Sequence, residues 1–162
     1  MTYFVNQEDL KKGKITSKLN VYISVVKDKD FQDYPQYTSS EIVYENLKNM
    51  INLDREYFIA LLLDAIARLT GLHVVSIGTI TASLISPIDA FKAAITTNST
   101  GIIFIHNHPS GDPEASTEDL TTTARLHECS KLLGIKLWDH IIIGQQKYTS
   151  LADEGWLETT IK

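Results

Sequence analysis

Residues 101–120, GIIFIHNHPSGDPEASTEDL, decide how this chain is expected to fold and where its chemistry is expected to lie. GIIFI, at 101–105, is a short continuous apolar run and predicts a buried strand. The next segment, 106–116, is rich in proline and glycine and predicts a loop. The sequence after the loop predicts a helix from about Thr117 to Leu133. Gly134 is expected to end this helix, because glycine readily adopts the left-handed conformation found at helix C-caps.

Outward from this stretch, apolar runs of strand length alternate with helical patterns. YFIALLLDA, at 57–65, reads as a central buried strand. Such interleaving predicts an α/β fold of the α+β type, in which helices cover a sheet. We expect a lead-in at 1–38 with one strand at Leu19 to Val26, one domain at 39–152 and a tail at 153–162. The other predicted elements are a helix that starts at Ser39 or Ser40, strands at Leu72 to Ile77 and Ile80 to Ile85, a helix from Ser86-Pro87 to about Thr97, and strands at 135–144 and Tyr148 to Leu151.

Composition narrows the class of protein. The 162 residues are 43% hydrophobic, which is enough for one domain with a core. A formal charge of -5 argues against sequence-independent binding to nucleic acid or to an anionic membrane surface. Cys129 is the single cysteine, so no disulfide can form within the chain. The apolar runs are too short to span a membrane and no secretory signal is recognisable, so we expect a cytoplasmic protein.

Two histidines and an aspartate around the predicted loop suggest a metal site. His106 and His108 follow the buried strand two residues apart, so in an extended chain both side chains point to the same side. Asp119 lies in the first turn of the next helix, and the loop between can bring its carboxylate to the same point. Two imidazoles and one carboxylate leave zinc an open fourth position for water, as in catalytic zinc sites. Iron or nickel also suits these ligand types.

Hydrolysis at such a site needs a general base. We assign that role to Glu56, which comes just before the central strand. Ser116 precedes Asp119 by three residues, and its hydroxyl can donate to an oxyanion. There are plainer interpretations: His-x-His pairs occur in surface loops by chance, and Ser-x-x-Asp resembles an ordinary capping box. The combination of all these features at one strand-to-helix junction is more specific than any of them alone.

The motifs HNHPSGDPEASTEDL (106–120) and LLGIKLWDHIIIG (132–144) resemble those of the RadC family of bacterial JAB/MPN domain proteins. YFIALLLDA (57–65) and SIGTITASLISPIDAFKAAI (76–95) are similar to that family's strands and helix. The resemblance covers about residues 39–152. It implies a JAB/MPN fold, a three-layer α-β-α arrangement around a curved mixed sheet, related to that of cytidine deaminases.

The resemblance also implies a JAMM metal site. His106, His108 and Asp119 match the zinc ligands, Ser116 matches the serine that assists the tetrahedral intermediate, and Glu56 matches the glutamate before a hydrophobic strand. Related JAMM proteins cleave peptide or isopeptide bonds next to ubiquitin-like tails. Full-length RadC proteins usually carry a helix-hairpin-helix segment before this domain, and we expect this chain to lack it.

Asp139 and His140 lie in the DHxIIG part of the second motif. We expect them either to orient a metal ligand from behind or to serve a structural role at a strand end.

Three functions compete at this stage. The first is a zinc-dependent peptidase or isopeptidase acting on a peptide or protein. The second is a metal-dependent nuclease or DNA-repair protein, which the family association suggests and the acidic charge opposes. The third is a non-catalytic interaction module of the MPN fold, which the complete ligand set disfavours. The oligomeric state stays open.

Overall fold

The computed structural model describes residues 36–78 and 85–157. The predicted strand at Leu19–Val26, and nearly all of the one at Ile80–Ile85, lie outside these residues. In chain order the elements are α1 (Ser40–Leu47), a 3₁₀ helix (Lys48–Asn52), β1 (Tyr57–Leu63), β2 (Leu69–Ile77), α2 (Pro87–Thr96), β3 (Gly101–Asn107), α3 (Thr117–Leu133), β4 (Lys136–Ile143) and β5 (Tyr148–Ser150).

The five strands form one mixed sheet in the order β2-β1-β3-β4-β5. β3 and β4 are parallel, and the other neighbouring pairs are antiparallel. A parallel pair needs a long crossover, and here α3 supplies it. The loop between β3 and α3 therefore begins at the end of a central strand.

Helices cover both faces of the sheet, which confirms the predicted α-β-α layering. α1 and the 3₁₀ helix pack on one face, against residues such as Ile59, Ile103 and Ile141. α2 and α3 pack on the other face, against Phe58, Phe104 and their neighbours. Because both faces of β1 and β3 are covered, these strands are apolar almost without interruption. Among the described residues, no helix combines the length and hydrophobicity needed to cross a membrane.

Local sequence explains both ends of α3. Ser116 and Asp119 form a capping box: the Ser116 hydroxyl accepts from the Asp119 N–H, and the Asp119 carboxylate accepts from the Ser116 N–H. Gly134 ends the helix with φ of 68°, a conformation that favours glycine. Both predicted ends are confirmed. At α2, Ser86 stands at the N-cap and Pro87 in the first turn as predicted, but the Ser86 hydroxyl makes no capping bond to the described backbone.

Several strand ends differ from the prediction, such as β2, which begins at Leu69 and not at Leu72, and two of the differences have a clear cause. β3 continues through Asn107, so His106 lies inside the strand and not past its end as predicted. The reason is pairing on both sides, because β1 pairs with β3 up to His106 and β4 pairs with it up to Asn107. β1 stops at Leu63, before the predicted end at 65, because the Asp64 carboxylate accepts from the N–H groups of Ile66 and Arg68 and closes a turn.

Candidate metal centre

Three side chains converge where β3 ends and α3 begins. The Nε2 atoms of His106 and His108 lie 3.0 Å apart. His106 Nε2 is 3.1 Å from Asp119 Oδ1, and His108 Nε2 is 3.4 Å from Asp119 Oδ2. The structure therefore brings together the three predicted ligands, and this is the one group of potential metal ligands found in the described part of the chain.

The spacing of these atoms fits a small divalent cation. With zinc–ligand bonds of about 2.0–2.1 Å, two ligands of a tetrahedral site lie about 3.3 Å apart. The three observed separations fall close to that value. Two imidazoles and one carboxylate are also a common donor set for zinc at sites that keep one position open.

The cluster is buried on one side and accessible on the other. His106 is fully buried and Asp119 is nearly so, whereas 16% of the His108 side chain is exposed. Burial opposes ionisation of the Asp119 carboxyl, but hydrogen bonds and charge from the two histidines outweigh it and lower its pKa. Asp119 in turn raises the pKa of His108, against the effect of burial. The carboxylate thus stays ionised, as a metal ligand must.

Ser116 serves Asp119 directly. Besides its part in the capping box, its hydroxyl donates to Asp119 Oδ2 at 2.6 Å. This hydrogen bond fixes the orientation of the Asp119 carboxylate, which lies in the first turn of α3 next to the two histidines. The oxyanion role of Ser116 stays a prediction.

His106 is supported from behind by a chain of hydrogen bonds within the buried layer. Its Nδ1 lies 2.8 Å from Nε2 of His140, a fully buried ring in β4. Nδ1 of His140 lies 2.5 Å from the hydroxyl of Thr123, which donates to the Asp119 backbone carbonyl at 2.6 Å. Burial first, and then the nearby His106, lower the pKa of His140 well below its usual range, so this ring is neutral.

Asp139 does not share that position, and its contacts match the second role expected for it, a structural one at a strand end. Its carboxylate accepts from the Ser150 hydroxyl at 2.6 Å and from the Ala152 N–H at 2.9 Å. It therefore ties β4 to β5 and the following turn. The physical reason is that successive residues of a strand point to opposite faces, so Asp139 and His140 cannot both face the cluster.

His108 is held by its own loop. Its Nδ1 lies 2.8 Å from the Asp112 backbone carbonyl. The loop is fixed to the β4–β5 turn, where the Gln145 N–H donates to the Gly111 carbonyl at 2.7 Å. A Cβ atom on Gly144 would come within 2.5 Å of that same carbonyl and of the Pro113 ring, so only glycine allows this close approach.

Glu56 lies at the same end of the sheet. Phe58 pairs with His106 across the antiparallel β1–β3 ladder, and extending that register by two residues sets Glu56 opposite His108. Glu56 is half-buried, and its charge contributes to the raised pKa of His108. A carboxylate at this point can accept a proton beside the cluster.

Asn107, the residue between the two histidines, fixes the backbone on either side of Glu56. Its Oδ1 accepts from the Tyr57 N–H at 2.9 Å, and its Nδ2 donates to the Arg55 carbonyl at 3.1 Å. The Gly78 N–H also donates to the Glu56 carbonyl at 2.9 Å. The fully buried Asn107 side chain therefore locks the start of β1 to the end of β3.

Comparison with known proteins agrees with this geometry. A family model described as the RadC-like JAB domain matches residues 37–156. The chain belongs to this family. The range that matches the RadC model contains all five strands of the described sheet and all three residues of the ligand cluster.

Curated relatives support the assignment. The chain is 44% identical over 131 residues to the UPF0758 protein SH1266 of Staphylococcus haemolyticus, which covers 80% of this chain and 58% of that protein. It is 45% identical over 123 residues to a UPF0758 protein of Syntrophotalea carbinolica, covering 75% and 54%. A UPF0758 protein of Methanosarcina mazei is 39% identical over 145 residues, covering 90% and 61%. The chain thus matches little more than half the length of these relatives.

Two supporting residues were missed in the sequence. Thr123 lies in the interior of α3, where threonine looks like any polar helix residue. Asn107 looked like a spacer between two histidines. One signal was available for Asn107, because a polar residue in a strand buried on both faces needs hydrogen-bond partners. For Thr123 the sequence offers no comparable signal, since its partner is 17 residues away on another element.

Proposed function

We propose that this RadC family protein is a zinc-dependent hydrolase of peptide or isopeptide bonds. The observation that carries the proposal is the convergence of His106, His108 and Asp119 at separations of 3.0–3.4 Å, with one side accessible to solvent. A zinc ion held by such a set supplies Lewis acidity and a water nucleophile at neutral pH.

The chain's own residues have separate tasks in this proposal. His106, His108 and Asp119 would hold the ion, and Ser116 would keep the Asp119 carboxylate oriented. Glu56 would take a proton from the attacking water and return it to the leaving amine. The substrate class rests on the resemblance to JAMM peptidases, because a fold alone does not specify a substrate.

Metal content of the purified protein is the first test. We expect about one zinc per chain, and loss of that zinc in His108→Ala. His127→Ala is the matched control, since His127 lies on α3 more than two turns after Asp119 and is not part of the ligand cluster, and it should keep its zinc. Equal zinc content in both variants would show that the cluster is not the binding site.

Turnover is the second test. Cleavage should be measured with a peptide library and with isopeptide-linked peptide pairs. Glu56→Gln should retain zinc but lose turnover by about 100-fold or more, since general base catalysis contributes 10²–10⁴-fold. Full activity in Glu56→Gln would remove Glu56 from the mechanism. Zinc binding without cleavage of any substrate would favour a non-catalytic module, and plasmid nicking that Asp119→Asn abolishes would favour a nuclease.

A further inference from the structure

The buried series of hydrogen bonds behind His106 includes one group that can act only as an acceptor. This is the backbone carbonyl of Asp119, which can only accept. The Thr123 Oγ1 lies 2.6 Å from it. Two oxygens approach this closely only when a hydrogen lies between them, so the hydroxyl proton of Thr123 points to the carbonyl.

The remaining protons of the chain then follow in order. Thr123 has one proton, and it is used, so its oxygen must accept from the His140 Nδ1 atom that lies 2.5 Å away. His140 is fully buried, and its two ring nitrogens face a histidine ring and a threonine hydroxyl, so no carboxylate is hydrogen-bonded to it to compensate a positive charge. The ring is therefore neutral and has one proton, on Nδ1. Its Nε2 is therefore an acceptor, and the His106 Nδ1 atom 2.8 Å away must be the donor.

We propose that Thr123 and His140 are positioning residues that hold a ring proton of His106 on Nδ1, the tautomer that binds a metal ion through Nε2 in the ligand cluster. The inference rests on the metal-binding part of the proposed function and not on any substrate. In the opposite arrangement, with the Thr123 proton turned to His140, His140 would donate to His106 and the His106 proton would sit on Nε2. That tautomer cannot bind a metal ion through Nε2.

His108 reaches the same tautomer by a different route, because its Nδ1 faces the Asp112 backbone carbonyl at 2.8 Å. A carbonyl beside a histidine ligand is a common arrangement in metal sites. At His106 the fixed acceptor is two side chains away, so the selection depends on both intervening residues. This dependence makes the proposal testable on Thr123, which does not touch the ligand atoms.

The first measurement is the ring tautomer in the metal-free protein. Long-range proton–nitrogen correlation spectra of the histidine rings, at mildly alkaline pH, distinguish a proton on Nδ1 from one on Nε2. We expect His106 and His140 to carry their protons on Nδ1. A wild-type His106 ring without a proton on Nδ1 would overturn the proposal whatever the variants do.

The second measurement is zinc affinity, determined by competition with a chromophoric chelator. Thr123→Val has nearly the same shape but lacks the hydroxyl, and we expect it to weaken zinc binding about 10- to 100-fold, as the loss of such supporting groups does. Thr123→Ser restores the hydroxyl and should recover most of the affinity. Thr122→Val is the matched control, because Thr122 is the adjacent buried threonine and its hydroxyl has no hydrogen-bond partner among the described residues.

The outcomes separate this inference from the proposed function. Equal zinc affinity in Thr123→Val and Thr122→Val, with the His106 tautomer unchanged, would overturn the inference. Absence of turnover in the zinc-loaded protein would contradict the hydrolase proposal while leaving the tautomer result intact. A shift of the His106 proton toward Nε2 in Thr123→Val, but not in Thr122→Val, supports the inference even if no substrate is cleaved.

Discussion

The two histidines of the metal centre belong to regions of the molecule that are built differently. His106 lies in a central strand, is fully buried and is supported by His140 and Thr123 from the packed interior. His108 lies on a loop, is partly exposed and relies on one backbone carbonyl of that loop. The packed core therefore fixes the orientation of His106, and the loop places His108 next to it on the side that faces solvent.

The largest expected effect comes from removing each histidine in turn. His106→Ala leaves a cavity and deprives buried His140 of its partner, so we expect it to lower the free energy of unfolding by about 2–4 kcal/mol. His108→Ala removes a partly exposed side chain, and we expect a loss below about 1 kcal/mol. Urea unfolding of the metal-free proteins measures both values. Equal losses would mean that the two regions do not differ as described.

The next test addresses the support of the loop. Gly144→Ala puts a methyl group against Gly111 and Pro113, so the loop that carries His108 must move. We expect a loss of stability of about 1–3 kcal/mol from overpacking, and zinc binding weakened about tenfold, as when a supporting group is displaced. Gly71→Ala is the control, because Gly71 lies in β2 and the atoms nearest to its new Cβ belong to the Leu62 side chain of β1, not to the loop that carries His108. Its zinc affinity should match wild type. Unchanged zinc affinity in Gly144→Ala would show that the loop does not need this close contact.

A smaller effect on zinc binding is expected at Asn107. This residue lies between the two histidines, and its side chain is hydrogen-bonded to the backbone on either side of Glu56. Asn107→Asp keeps an acceptor for the Tyr57 N–H but replaces the donor to the Arg55 carbonyl with a negative charge. We expect faster hydrogen exchange at the start of β1 and a loss of stability of at least about 1–3 kcal/mol, because a buried carbonyl loses its donor. Where a substrate is found, turnover should fall about tenfold or more because the base is displaced, with zinc affinity close to wild type. Unchanged exchange and turnover would show that Asn107 does not hold Glu56 in place.

The smallest effect concerns pH. Asp119 raises the pKa of His108 in the folded metal-free protein above the usual 6.5. Because the folded pKa is the higher one, this pair contributes its full stability below pH 6.5 and loses it as pH rises through the raised pKa. We expect the change to be below about 1 kcal/mol, since the ring is near solvent. His108→Gln should lack this component of the pH dependence, and its persistence there would assign it to another group.

The affinity for zinc should increase as pH rises, whereas the stability from the His108–Asp119 pair decreases. Protons compete with zinc for His108, so the dissociation constant should rise as pH falls below the raised pKa. Titrations at several pH values measure this competition. It should be weaker in a variant that lacks His108 but still retains some metal.

Much of the fold followed from local sequence. Ser116 and Gly134 specify the two ends of α3, because a capping box and a left-handed glycine are determined by a few neighbouring residues. The continuous apolar run at 101–105 predicted that β3 is a strand. It also predicted that helices cover both faces of the sheet, because an apolar strand of this kind must be buried on both sides. The extent of β3 did not follow, because pairing with β1 and β4 extends the strand through His106 and Asn107.

The candidate ligands also followed from sequence, since the spacing of His106, His108 and Asp119 needs only one strand end, one loop and one helix start. The roles of Asp139 and His140 could not be separated that way. They are adjacent in sequence, and only the sheet decides which of them faces the cluster and which faces β5.

The sequence by itself determined the metal-ligating residue types, their order and the helix that carries the carboxylate, because these depend on contacts within about 20 residues of chain. Only the tertiary structure decided how the ligands are oriented. The packing of α3 against β4 places Thr123 on His140, and the pairing of β1 with β3 places Asn107 around Glu56. Hydrogen bonds between distant segments exist only once those segments are packed together, and no local pattern encodes them.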